Sequence, residues 1–114
     1  MSQITTHVLD TAEGRPAIGM RVVLELAEPS GVYQVVGERL TDRDGRVRDL
    51  VPESRPLTPG TYRLRFETGQ YFAGAGITPF HPVVEITFAV RDPAQHYHVP
   101  LLLTAHGYTT YRGS

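Results

Sequence analysis

Five histidines lie in a 114-residue chain that contains no cysteine. Acid–base or metal chemistry here therefore falls to imidazole, carboxylate and guanidinium, never to a thiol. His96 and His98 stand two apart in "HYHVPLLLT", a spacing that turns both rings to one face of a strand. Such a pair suits zinc if a third ligand, for example His7, joins it. No Asp or Glu on that face is placed to orient the rings, as metal sites normally require, so the chain is read as holding no metal. On spacing alone His98 is then an interfacial histidine satisfied by its neighbours, and His7 a polar residue on the outer face of an edge strand. His81 and His106 sit beside Pro82 and Gly107 and read as loop residues. Arg46 closes the turn "TDRDGR" and, taken singly, is one more solvated arginine. A nucleophilic triad built on Ser54 or Ser114 lacks both the glycine-flanked elbow and an assigned acid. The chain ends on "YTTYRGS", directly after a strongly apolar stretch. Termini are usually frayed, and a disordered tail has no use for that mixture.

Side chains this far apart in sequence need a scaffold to gather them. Eleven glycines and nine prolines divide the chain into strand-sized pieces, and no long segment repeats every 3.6 residues, which predicts an all-β domain. "ITTHVLD" alternates Ile4, Thr6 and Val8 against Thr5, His7 and Leu9. "MRVVLELA" puts Met20, Val22, Leu24 and Leu26 on one face and Arg21 and Glu25 on the other, the pattern of a strand with one dry side. Further strands are predicted in "VYQVVGERL", through Val47, in "TYRLRFE", in "VVEITFAV", and in the pair "HYHVPLLLT" and "YTTYRG". Asp42, Asp44 and Gly45 suit a tight turn, the prolines of "VPESRPLTPG" make that stretch a loop, and Tyr71–Gly74 fits one helical turn. About eight short strands in this length point to two packed antiparallel sheets.

With 40% apolar and 20% charged residues the composition is that of one globular domain, here spanning 1–114. The formal net charge of −1 gives no electrostatic reason to bind nucleic acid or an anionic membrane, so the expected partner is a small molecule or another protein. No apolar run approaches the roughly 20 residues of a membrane helix, and "MSQITTHVLD" lacks the layout of a secretion signal, so a cytoplasmic protein is expected. One strand breaks the half-buried pattern. In "HYHVPLLL", Tyr97, Val99, Leu101 and Leu103 form one face, while His96, His98, Pro100 and Leu102 form another that carries no Lys, Glu or Asp. A strand dressed for water on neither side is covered on both. A sandwich supplies one cover, and a second subunit is expected to supply the other.

Taken together, these segments resemble the 5-hydroxyisourate hydrolases, transthyretin-like enzymes of urate breakdown. The likeness runs from "THVLDTAEGRPA" through "TDRDGR" and "YFAGAGITPFHPVVEITF" to "HYHVPLLLTAHGYTTYRGS", essentially the whole chain. Its most specific part is "YRGS", which those enzymes carry and transthyretin lacks. The resemblance implies a prealbumin-like sandwich of two four-stranded sheets. It further implies a homotetramer with its sites at the dimer–dimer interface, and hydrolysis of 5-hydroxyisourate without cofactor or metal. It assigns catalysis to His7, Arg46 and His98, and substrate contact to His7, Arg46 and Tyr111, with Arg112, Gly113 and Ser114 completing the tail. The competing reading is a transthyretin-like carrier that holds a small aromatic ligand in a central channel unchanged.

Overall fold

The structure, a computed structural model, describes residues 3–114. In chain order the strands are β1 (Ile4–Asp10), β2 (Arg15–Pro16), β3 (Arg21–Ala27), β4 (Tyr33–Leu40), β5 (Arg46–Val47), β6 (Gly60–Phe66), β7 (Val84–Val90), β8 (Tyr97–Leu103) and β9 (Tyr108–Thr110). One helix, α1 (Thr68–Ala73), lies between β6 and β7. Among the described residues no helix is long and apolar enough to cross a membrane.

Two sheets face each other, as the alternating apolar positions require. One runs β4-β3-β6-β7, antiparallel throughout. The other is built around β1, which pairs β8 along its full length on one side. On its other side β1 pairs β5 at Thr6 and His7 and β2 at Leu9 and Asp10. β9 extends the sheet beyond β8, so this layer is four strands wide with one lane shared by two short strands. The sandwich is the expected one, with two differences of detail. β1 and β8 run parallel; they come from opposite ends of the chain, and no hairpin ties their directions as it does for β8 and β9. The helix begins at Thr68, a turn earlier than Tyr71–Gly74, because Gly69 in its first turn masks the helical signal.

The inward faces supply the core. Ile4, Val8, Leu101 and Leu103 from one sheet meet Val22, Leu24, Leu64 and Phe66 from the other, all essentially fully buried. Burying side chains of this size contributes about 1.5–3 kcal/mol each, and it fixes the register, since a slip by one residue would turn every one of them to water. On the outer face of β8, His98 and Leu102 are half-buried and Pro100 is buried. Part of the second cover that the sequence demands is the chain's own C-terminal segment: a Cβ on Gly113 would stand 2.6 Å from His98 Cδ2 and 3.4 Å from Pro100 Cγ.

Helix α1 is fastened to β1 by one polar contact. Asp10, only 4% exposed, accepts the Tyr71 hydroxyl on Oδ2 at 2.8 Å and the Glu13 N–H on Oδ1 at 3.1 Å. Burial, and then the Asp10 carboxylate, push the Tyr71 pKa from 10.0 to about 12. A raised folded-state pKa stabilises fully below pH 10, and the contribution is lost as pH rises through about 12. Tyr71→Phe leaves a buried carboxylate oxygen unpartnered, and chemical denaturation at pH 7 is expected to show a loss of about 1–3 kcal/mol. The variant's further loss of stability between pH 10 and about 12 should be smaller than that of the unmodified protein.

Candidate active site

Arg46 is placed by its turn. Asp42 Oδ1 accepts the N–H groups of Asp44 and Arg46 at 2.8 and 3.0 Å, and the Gly45 N–H returns to the Asp42 carbonyl at 2.9 Å. Gly45 has φ +76°, and a Cβ there would stand 2.4 Å from the Val8 carbonyl oxygen, so glycine alone fits. The Gly45 carbonyl in turn accepts the Val8 N–H at 2.7 Å, which docks the turn onto β1. The Arg46 N–H, followed by that of Asp44 and the Arg48 and Arg46 charges, holds the Asp42 carboxyl below its usual range.

β1 contributes His7 and Thr5 on its outer face. His7 lies across from Arg46, and its Nε2 is 2.7 Å from the Asp44 carbonyl oxygen. A carbonyl only accepts, so Nε2 carries the hydrogen and, in the neutral ring, Nδ1 is bare. Thr5 lies across from His98. Its Oγ1 is 2.8 Å from His98 Nδ1 and 3.0 Å from His96 Nε2, spanning two rings whose centroids are 6.3 Å apart. Burial first, then the charges of Arg46, His96 and His7, push the His98 pKa below 6.5. A neutral imidazole at neutral pH follows, the form that takes up a proton.

The C-terminal tail closes over His98. The Gly113 N–H donates to the His98 carbonyl at 2.8 Å in an isolated antiparallel bridge. A Cβ on Gly113 would be 2.6 Å from His98 Cδ2, so the absence of a side chain lets backbone lie directly against the ring. Arg112 anchors the segment, its guanidinium 4.5 Å over the Tyr97 ring and its Nη2 2.9 Å from Gln95 Oε1. Ser114 is thereby delivered to an open cleft of about 160 Å³ whose walls include Thr5, Arg46, Arg48, His96 and His98.

Of the residues singled out in the sequence, the structure brings Arg46, His98 and Ser114 into one cleft, with Gly113 packed on His98. His7 stands beside it, close enough for its charge to act on His98, but does not line it. Tyr111 and Arg112 line a different hollow at the sandwich edge, about 120 Å³, with Phe88, Tyr97 and Val99. Sequence reasoning passes over Thr5 and Arg48. Thr5 shares the outer face with His7, which alternation displays, but only the β1–β8 register sets it against His98. Among the described residues no three His, Asp or Glu side chains are grouped so as to hold a metal ion.

The sequence model of the HIUase/Transthyretin family matches residues 4–113. This chain belongs to that family. Within it, the chain is 44% identical to the 5-hydroxyisourate hydrolase of Salmonella typhimurium, over 97% of this chain and 80% of that one. Its fold matches the 5-hydroxyisourate hydrolase of Klebsiella pneumoniae with a TM-score of 0.86 and 35% identity, covering 100% of both chains. It also matches transthyretin from Sparus aurata, with a TM-score of 0.92 at 29% identity over 99% of this chain and 97% of that one. The backbone is thus at least as close to a transthyretin as to a hydrolase. Within the HIUase/Transthyretin family the choice of activity has to be argued from side chains.

Proposed function

We propose that this protein hydrolyses 5-hydroxyisourate, opening its six-membered ring at a cyclic amide to give 2-oxo-4-hydroxy-4-carboxy-5-ureidoimidazoline. The observation that carries the reading is the convergence of Arg46, His98 and Ser114, from three distant segments, on one cleft. Hydrolase relatives at 44% identity support it. A carrier has no need of a neutral imidazole set among guanidinium groups.

Water attacks the ring carbonyl and must lose a proton; the departing ring nitrogen must gain one. His98, neutral at working pH, takes the water's proton and returns it to the leaving nitrogen. His7, which stands beside the cleft without lining it, would reach the water only through Nδ1, since Nε2 is committed to the Asp44 carbonyl. Positioned groups of this kind typically contribute about 10² to 10⁴ in rate. Arg46 presents a planar, permanently charged fork that matches the edge of an oxo-substituted ring and stabilises the negative charge growing on the carbonyl oxygen. Arg112 and Gly113 act by anchoring the tail. Ser114 lines the same cleft as Arg46 and Arg48, and Arg48 is itself paired with the Asp42 carboxylate at 3.1 Å. No cofactor or metal enters the scheme.

The assembly we propose is a homotetramer with its sites at the dimer–dimer interface. An open cleft of about 160 Å³ falls short of the roughly 300–1,000 Å³ of ligand pockets, so a second wall is needed to enclose a substrate. The half-buried outer face of β8 is the surface for it. Tyr111, 57% exposed in the protomer, presents its ring to the substrate across the assembled interface.

The direct test generates 5-hydroxyisourate from urate in a cuvette and follows its ultraviolet decay with and without the protein. Acceleration is expected, and decay at the spontaneous rate would transfer the reading to the carrier. The same assay gives the pH dependence. His98 must be neutral, and burial holds its pKa below the ordinary imidazole value, so kcat/KM should fall on the acid side, with its midpoint at a lower pH than a free imidazole would set. A profile that remains flat to strongly acid pH would remove imidazole from the mechanism.

A further inference from the structure

We propose that Thr5 is a positioning residue: its hydroxyl, held between Nδ1 of His98 and Nε2 of His96, fixes His98 in the tautomer whose Nε2 is bare towards the cleft. The inference deepens the hydrolase reading and rests on it for its catalytic meaning.

The geometry poses a one-proton problem. Thr5 Oγ1 lies 2.8 Å from one ring nitrogen and 3.0 Å from another, and a hydroxyl has a single hydrogen with two lone pairs. It can donate to only one ring and must accept from the other, so the two tautomers are locked together. If Thr5 donates to His98 Nδ1, the neutral His98 ring carries its hydrogen on Nε2. If Thr5 donates to His96 Nε2, His98 Nδ1–H donates to Thr5 and Nε2 has a free lone pair.

The surroundings decide between these. The cleft that His98 lines is furnished with the N–H donors of Arg46 and Arg48. An Nε2–H would add another donor to a cationic wall, whereas a bare Nε2 offers that wall a lone pair. The second arrangement is therefore selected. It is also the arrangement a general base needs, because the same nitrogen can accept the proton of attacking water. Thr5 suits the post: it is 5% exposed, so water competes little for its hydroxyl, and its backbone is fixed by the full β1–β8 ladder. His96, exposed at the strand's start, is the partner that commits the hydroxyl hydrogen away from His98.

Burial, then the charges of Arg46, His96 and His7, oppose protonation of His98, while a hydrogen bond with the Thr5 backbone favours the cation; the Thr5 hydroxyl, 2.8 Å from Nδ1, is a second acceptor for the imidazolium. Arg48, paired with the Asp42 carboxylate at 3.1 Å, completes the charged groups around the cleft.

The test compares Thr5→Val, which keeps the β-branched shape and removes the hydroxyl, with Thr5→Ser, which restores it. Nitrogen-15 spectra of the histidine rings, recorded without substrate, should show the unmodified protein's His98 protonated on Nδ1 and bare on Nε2. In Thr5→Val that preference should be lost. In turnover, Thr5→Val is expected to lower kcat about 10- to 100-fold, less than the roughly 10⁴ lost when a triad histidine is locked in its wrong tautomer. KM should stay within about twofold, and Thr5→Ser should recover kcat. The acid limb of the Thr5→Val profile should move to lower pH, because imidazolium has lost an acceptor; damage to packing that let water reach the ring would relieve its burial and move the limb to higher pH instead. An Nε2–H tautomer in the unmodified protein, or an unshifted Thr5→Val profile with unchanged kcat, would overturn the assignment. Should the unmodified protein prove inactive on 5-hydroxyisourate, the hydrolase reading falls, and the spectra still decide the tautomer on their own.

Discussion

Removal of residues 111–114 is expected to bring hydrolysis of 5-hydroxyisourate close to the spontaneous rate while leaving a folded sandwich. The four residues touch the fold at its outer face and edge: Tyr111 at the hollow with Phe88 and Val99, Arg112 on the Tyr97 ring and at the Gln95 side chain and His96 carbonyl, Gly113 on His98, and Ser114 in the cleft. None of them belongs to the buried core, which is closed by β1, β3, β6, β7 and β8. What their loss removes is local. The His98 ring loses the backbone lying against Cδ2, the His98 carbonyl loses its donor, and the cleft loses the wall that Ser114 forms. A base free to rotate among solvent-exposed cations contributes little of the roughly 10² to 10⁴ that a positioned one supplies. Circular dichroism and a thermal melt should resemble those of the full chain. A truncated protein that kept its turnover would mean that the tail has no catalytic part.

Arg46→Ala should reduce kcat/KM by about 10²–10³, the usual cost of losing one preorganised donor to a developing oxyanion, roughly 3 kcal/mol. Both kcat and KM should worsen, since the same fork orients the ring before reaction and holds the charge during it. The turn itself should survive, because its bonds to Asp42 and Val8 run through the backbone of residues 44–46 and not through the guanidinium. Arg46→Lys retains the charge without the planar pair of donors and should fall between. Steady-state kinetics with a melting curve for each variant separates this from unfolding. Unaltered kinetics in Arg46→Ala would remove the arginine from the site.

Much of the sandwich can be read directly from residue alternation. Met20, Val22, Leu24 and Leu26 announce one dry face, Tyr62, Leu64 and Phe66 another, and all but the half-buried Leu26 are buried there. The argument works because side chains in a strand point alternately to opposite sides, and water penalises every apolar one on the wrong side. It weakens where segments are too short or too mixed to carry a period. β2 has two residues and exists by pairing with Leu9 and Asp10, and α1 has six, with a glycine second. β4 is a different case. As an edge strand with a register shift opposite Leu24 and Glu25, it buries Val36 in the core but leaves Val35 and Leu40 exposed, so its apolar residues do not all mark the buried face.

The site divides in the same way. Residue chemistry and resemblance were enough to select His7, Arg46, His98 and the closing Tyr-Arg-Gly-Ser, and the two-sided apolar pattern of β8 marked its outer face as a surface requiring cover. Those are properties of types and spacing along the chain, and they survive without coordinates. Tertiary structure alone decided that β1 and β8 run parallel with Thr5 opposite His98, that Gly113 lies against that ring, and that Arg112 turns to Tyr97 while Ser114 enters the cleft. The first of these contacts joins residues 93 positions apart, and all depend on strand register and side-chain rotamer, quantities set by the packing of both sheets at once and by no local run of sequence.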